Sequence, residues 1–436
     1  MSMRSLNAAK HFLLSLMLLF LIFLLFIAGC STQTPVATTQ QPTVSDQAVS
    51  QNQEQPITVL VTVAIAPKAT LSAVQKSLAN DYNLTSANDW PLISLDIYCF
   101  IYKLPVQADP EQLIATIEQD PRVDSAQLIR QFNILSRPKM ASGIASRPDY
   151  DDEHYPLQYG LRTLKADQAH QWSTGKSVKV GIVDTGIDVN HKDLTSVKYT
   201  RSFVGKPSAI IYPENHGTAI AGIIAASANN EIGIVGIAPD AELIGLRGCW
   251  QPEASNRGIC NSLSLARAID YANVNDINIL NLSLQGPHDP IIDRLLQRAI
   301  ERNGVIITAY QPSQNDFPAS QQGVIAVTSN PLLLSKHQLR STMVAAPGQD
   351  ILTTVPASQY DLLQGSSLAA AHVTGVVALL REQQPDLPPK RIAKLLTQAM
   401  HEPADDSAIN MINACMAIIT LLEHGPTEKT LKKQLC

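Results

Sequence analysis

The hydrophobic pattern divides the chain into stretches of different rhythm. Residues 12–27 form an unbroken apolar run behind Arg4 and Lys10. Residues 31–56 are rich in Thr, Gln, Ser and Pro with few apolar side chains, which predicts a flexible tether. Over residues 57–135 strand-like and helical periods alternate. "TVLVTVAIA" and "ISLDIYCFIYKL" read as strands, "LSAVQKSLANDY" and "DPEQLIATIEQ" as helices, and "VDSAQLI" as a closing strand. The second helix is opened by Asp109-Pro110, with proline in its first turn. This β-α-β-α-β order predicts a small α+β domain with its helices on one face of a sheet. Residues 136–155, "SRPKMASGIASRPDYDDEHY", lose the rhythm in prolines, small residues and acids, and predict an exposed, easily cut linker. From residue 156 to 425 short β-rich runs ("VKVGIVD", "ELIGLR", "INILNLSL", "GVIITAY", "GVIAVTS") alternate with helical patterns such as "LARAIDYANV" and "RLLQRAIERN". They predict an α/β domain, doubly wound about a mostly parallel sheet, with its ligand site at the carboxyl ends of the strands.

Composition changes this picture in two places. A net charge of −5 with 16 % charged residues leaves no basic face to attract nucleic acid, and 436 residues suffice for two or three domains. The first thirty residues, basic, then apolar, then Ile27-Ala28-Gly29-Cys30, have the layout of an export signal. A short membrane anchor is the other reading, although the run is slightly short for a span. Either way the rest of the chain is exported. Ile-Ala-Gly-Cys resembles a bacterial lipobox, which implies cleavage just before Cys30, a lipid on its thiol and a lipoprotein held at a membrane. Cys249 and Cys260 flank the polar insert "WQPEASNRGI", and an oxidising exterior favours a disulfide between them over two separate thiols.

Candidate chemistry gathers at "GSSLAAAHVTG", residues 365–375. Two hydroxyls stand at the mouth of a helix, where the dipole and the unpaired amides favour a developing anion, and three alanines allow close approach to a sheet. His372 cannot serve Ser367 as a base, because five residues turn it roughly 140° around the helix. A base must come from another segment. "VKVGIVDTGID" ends a buried strand on Asp184, and "ENHGTAIAGIIAA" puts His216 at the mouth of a second helix. Serine is a weak nucleophile at its own pKa; a histidine takes its proton, and an aspartate fixes the histidine tautomer and stabilises the imidazolium. Taken singly, each motif has an ordinary structural reading as a turn or a cap. Asp-Thr-Gly also suits half of an aspartic-protease dyad, but no second copy exists in the chain. Together, each at the end of an element, they make an Asp184–His216–Ser367 triad.

"VDTGID", "HGTAIAG" and "GSSLAAAHVTG" resemble the three active-site signatures of the subtilisin-like (subtilase, peptidase S8) serine proteases, in that family's order of Asp, His, Ser. The resemblance covers residues 155–417 and includes "GIVGIAPDAELIGLR" and "FPASQQGVIAV". It implies a serine endopeptidase working through an acyl-enzyme on protein or peptide substrates, with no required cofactor. It also implies that residues 57–135 are an inhibitor-type propeptide. The chain departs from the family at several positions. Ser366 stands where Thr is usual, Ala371 where Pro is usual, and Ala219 where many members carry a second His. The substrate strand reads Ser283-Leu284-Gln285-Gly286 in place of Ser-Leu-Gly-Gly, so that Gln285 narrows the cleft or alters its first pocket. The family's oxyanion asparagine falls at Ser313 without a gap and on Asn315, the preferred position, with a two-residue insertion. "SANNEIGIVG" resembles a calcium loop, with Asn230 and Asp193 as ligands of a structural Ca²⁺; an Asn-rich turn is the alternative. These departures motivate a rival reading, a weak or inactive pseudoprotease that binds peptides or a partner. The intact triad speaks against it.

Overall fold

The computed structural model describes residues 57–134, 137–138, 150–205, 211–252, 258–313, 315–336, 342–400 and 410–422. The export signal, Cys30, the tether and most of the linker lie outside them. Among the described residues no helix is long and apolar enough to cross a membrane.

The first domain is an antiparallel sheet in the order β2-β3-β1-β4, formed by β1 (Thr58–Ala64), β2 (Thr85–Leu92), β3 (Ile97–Lys103) and β4 (Ser125–Leu128). Helices α1 (Lys68–Asp81) and α2 (Pro110–Ile117) cover one face, where Val59, Val61, Phe100 and Tyr102 meet Leu71, Leu78 and Ile117. Strand β2 adds to the expected order of elements. Its first five residues, Thr85 to Asp89, are exposed and mostly polar, so no alternation marks them; pairing with β3 makes the strand. The sheet's second face does not meet water. Leu60, Cys99 and Ile101 join a core with Leu265, Ile269 and Leu295, which stand on α4 (Ser262–Val274) and α5 (Pro290–Glu301) of the following domain. Two carboxylates complete this contact. Asp270 accepts from the Ser94 and Ile93 amides at 2.9 and 3.2 Å, and Asp289, the N-cap of α5, accepts from Gln127 at 2.8 Å.

The larger domain is built on seven parallel strands in the order β16-β15-β14-β12-β7-β9-β8. These are β7 (Lys179–Asp184), β8 (Val197–Ser202), β9 (Glu242–Arg247), β12 (Ile279–Leu282), β14 (Val305–Ala309), β15 (Ile325–Thr328) and β16 (Met343–Ala345). The central strands are apolar along their length because both faces are covered. Val180 and Ile182 pack toward α3 (Asn215–Ala225) and α6 (Ser366–Gln383), whereas Val183 and Leu280 pack toward α4 and α5. The order of strands reverses between β7 and β12, the place where a sheet of this kind forms its ligand crevice, at the carboxyl ends of the strands. Shorter pieces line it. β10 (Cys249–Trp250) and β11 (Ile259–Asn261) pair across the disulfide that joins Cys249 to Cys260. β13 (Leu284–Gln285) follows β12, and β17 (Ile351–Val355) and β18 (Gln359–Gln364) form a hairpin leading into α6.

The expected linker of residues 136–155 is not exposed at its ends. Its first part, β6 (Arg137–Pro138), pairs with β18, and Asp152 and Tyr155 are buried, the tyrosine hydroxyl donating to Asp167 at 3.0 Å. Acidic composition does not mark the difference, because Asp152 and Tyr155 are buried while Asp151 and Glu153 stay exposed.

Helix α6 is buried on every side from Ser366 to Arg381, so its histidine has no access to water. His372 donates from Nδ1 to the Leu368 carbonyl at 2.8 Å, and burial pushes its pKa down to about 4. The unfolded chain takes up a proton as pH falls through the ordinary histidine value near 6.5, while the folded chain does not until about 4. Stability present above pH 6.5 is therefore lost as pH falls toward 4, by about 3 kcal/mol from this group. Burial lowers His170 in the same direction. His372→Gln flattens the dependence of Tm on pH in this window. An unchanged profile would move the acid sensitivity to other groups.

Candidate active site

Asp184 ends β7 at the crevice, and its Oδ1 accepts from the following amide of Thr185 at 2.6 Å. The turn Thr185-Gly186 then meets the first turn of α3. The Thr185 hydroxyl accepts from the Gly217 amide at 2.9 Å, and a Cβ on Gly217 would stand 2.4 Å from the Thr185 carbonyl oxygen. Only glycine lets the helix mouth come this close to the strand end. Glu214 holds the same turn from the other side, accepting from the Gly186 amide at 2.6 Å and from Arg247 at 2.8 Å. The result is that His216 Nδ1 donates to Asp184 Oδ1 at 2.7 Å, with both side chains buried. This bond fixes the proton on Nδ1 and leaves Nε2 as the basic nitrogen. Nε2 is buried and has no hydrogen-bond partner among the described residues.

Ser367 is the second residue of α6, which packs against α3, β7 and β12. Gly365 precedes it with a φ of +149°, a conformation other residues rarely adopt, and turns the chain from β18 into the helix. Ser367 Oγ donates to the Ser283 carbonyl at 3.0 Å, and the Ser283 hydroxyl donates back to the Ser367 carbonyl at 3.1 Å. The serine proton is thus held on a carbonyl in this state and not on His216. At the second position of a helix the Ser367 amide has no intrahelical acceptor.

The remaining candidates are arranged differently. Asn315 is exposed; its amide donates to Ser313 Oγ at 3.0 Å, and its carbonyl accepts from Ser313 and from Gln285. Asp193 is fully buried, and burial raises its carboxyl above the usual range. It accepts from Asn230 Nδ2 and the Ile234 amide, both at 2.9 Å, and from the Tyr360 hydroxyl at 3.2 Å. Asn230 turns its nitrogen toward the acid and uses its oxygen to accept from the Ile232 amide. Donors surround the carboxylate where a cation would need oxygens, so this arrangement does not fit Ca²⁺ as it stands. No cluster of three or more metal-ligating side chains occurs among the described residues.

One element at the crevice was unforeseen. β5 (Gln131–Ile134) lies between β11 and β13, antiparallel to both, with Phe132 opposite Cys260 and Ile134 opposite Leu284. The Ile134 amide donates to the Gly258 carbonyl at 3.2 Å. Its signal was the alternation of Gln131, Phe132, Asn133 and Ile134, a half-buried strand pattern at the end of the first domain. Thr185 and Glu214, which set the approach of His216, carried no signal of their own.

A doubly wound sheet with an acid-backed imidazole and a helix-mouth hydroxyl at its carboxyl edge places the chain among the serine hydrolases. Comparison narrows the class. Residues 175–414 match the subtilase family (peptidase S8). The chain is 32 % identical over 256 residues to the major intracellular serine protease of Bacillus subtilis (strain 168), covering 52 % of this chain and 76 % of that protein. It is 34 % identical over 235 residues to thermitase of Thermoactinomyces vulgaris, covering 52 % and 82 %. The fold is similar to that of fervidolysin from Fervidobacterium pennivorans, a keratinolytic enzyme related to subtilisin, with a TM-score of 0.66 and 23 % identity. That likeness covers 86 % of this chain and 62 % of the fervidolysin chain. The chain belongs to the subtilase family. It is a serine-type endopeptidase, and its substrates are proteins or peptides.

Proposed function

We propose that Ser367 is the nucleophile, His216 the general base and Asp184 the residue that orients and charges-balances the imidazole. The observation that carries this is the 2.7 Å bond from His216 Nδ1 to Asp184, which leaves a buried, unpartnered Nε2 at the mouth of the helix next to that of Ser367. In the reaction Ser367 Oγ turns from the Ser283 carbonyl and attacks the peptide carbonyl carbon while its proton passes to His216 Nε2. The oxyanion is met by the Ser367 amide and, in this reading, by the side chain of Asn315. Collapse breaks the C–N bond, and His216 gives its proton to the leaving amine. Water then hydrolyses the acyl-Ser367 ester by the same steps in reverse. A fluorophosphonate should react at one residue, and peptide mapping should find the adduct on Ser367.

The first domain acts as an inhibitory propeptide in this proposal. Support comes from β5, which fills the space between β11 and β13 as a substrate strand would, and from the pairing of residues 137–138 with Gln364 and Leu363, the last two residues before Gly365. The chain is exported and lipidated at Cys30, and self-cleavage after the cleft releases the larger domain from the membrane. With both ends of the linker held, the cut falls between residues 138 and 150. Amino-terminal sequencing of the soluble product should read a start in that interval, and the Ser367→Ala protein should remain full length and membrane-bound. An active, uncut, membrane-held wild type would make the first domain a permanent spacer.

A further inference from the structure

We infer that Gln285 closes the first specificity pocket, so that the enzyme selects a small side chain immediately before the bond it cuts. The inference rests on the protease reading above. β5 shows how an extended peptide lies on β13: Ile134 faces Leu284 and Asn133 faces Gln285. A peptide bound in the same register sets its next residue opposite Ser283, whose carbonyl accepts from Ser367 Oγ, so that residue carries the carbonyl nearest the nucleophile. Directly opposed residues share a face, and faces alternate along a strand. The side chain at that position therefore points to the face of Gln285, not to the buried face of Leu284 and Ile134.

On that face the pocket has two walls, β13 on one side and Gln311, Ser313 and Asn315 on the other, and the walls join where the Gly286 amide donates to the Phe317 carbonyl at 2.9 Å. Gln285 spans the gap between them. Its Nε2 shares two hydrogens among three acceptors, the Gln311 carbonyl at 2.9 Å, Ser313 Oγ at 2.7 Å and the Asn315 carbonyl, and the residue is only 5 % exposed. Two of the three acceptors are carbonyls, which cannot donate, so the amide has one orientation and is held at both walls. Glycine at this position would leave the gap open. A large side chain must displace this buried amide from its three acceptors.

The test is the ratio of kcat/KM for peptides that differ only in Ala, Leu or Phe before the scissile bond, measured with the full-length chain after it reaches steady activity. Wild type should favour Ala over Leu and Phe by about 10²-fold, a discrimination within the reach of pocket size. Gln285→Gly should reverse the order by a similar factor, and Gln285→Ala should fall between them. Wild type that cuts after Leu or Phe faster than after Ala overturns the inference even if no variant folds. So does a folded Gln285→Gly with the wild-type order. A fluorophosphonate presents no side chain to this pocket. Wild type that is not labelled at Ser367 fails the protease reading, and labelled wild type with the wrong order fails this inference alone.

Discussion

Ser367→Ala removes fluorophosphonate labelling and lowers peptide hydrolysis on the order of 10⁶-fold, the size of loss expected when a triad loses its nucleophile. Ser366→Ala keeps the labelling and changes the rate by less than about tenfold. The two serines are adjacent at the mouth of α6, yet their surroundings differ. Ser367 is fully buried and its hydroxyl lies against the Ser283 carbonyl, at the start of the strand on which a peptide docks. Ser366 points to Ser329, 3.5 Å away, on the other side of the turn. One residue along a helix is a rotation of about 100°, so only one of them can face His216. Labelling that survives Ser367→Ala, or is lost in a folded Ser366→Ala protein, would reassign the nucleophile.

Phe132→Ala raises the initial rate of peptide hydrolysis by the intact chain about 10²- to 10³-fold. The phenyl ring is fully buried, its centroid 6.2 Å from that of Phe317, and it lies over Gly286, where a Cβ would come within 2.4 Å of the ring. Truncating a buried phenylalanine costs about 3–5 kcal/mol, and here the loss falls on the strand that occupies the cleft. Strand β5 lies outside the seven-stranded sheet of the larger domain, so the change leaves the pairing of that sheet intact. The rate is read in the first minutes, before self-cleavage, with a gel to show that the chain is whole. A Phe132→Ala chain that folds, carries a reactive Ser367 and is no faster than wild type would mean that the first domain does not restrain the enzyme.

Much of this protein is written in short segments. The β-rich runs and helical patterns after residue 156 become the parallel sheet and its covering helices, because strands buried on both faces must be apolar throughout and leave a visible trace. The segments around Asp184, His216 and Ser367 also stood out, since each of these candidates lies at an element end with a glycine within two residues. What local pattern could not supply was everything decided by partners distant in sequence. β2 has no hydrophobic alternation and exists through its pairing with β3. The acids of residues 150–155 read as solvent-exposed, yet Asp152 is buried where its carboxylate accepts from the Asn229 amide at 2.9 Å. Asn230 and Asp193 match a ligand pattern, but the direction of the Asn230 amide is set by the Ile232 amide that donates to it and by Asp193, which accepts from it. Gln285 showed as an odd residue in a known place; that its amide bridges to residues 311–315 required the fold to bring two loops 26 to 30 residues apart to one pocket. The same holds for β5. Sequence determined which groups could do chemistry, because that depends on residue type and local backbone. Tertiary structure decided which of them meet, and that β5 lies between β11 and β13, because those are contacts between surfaces that no local period encodes.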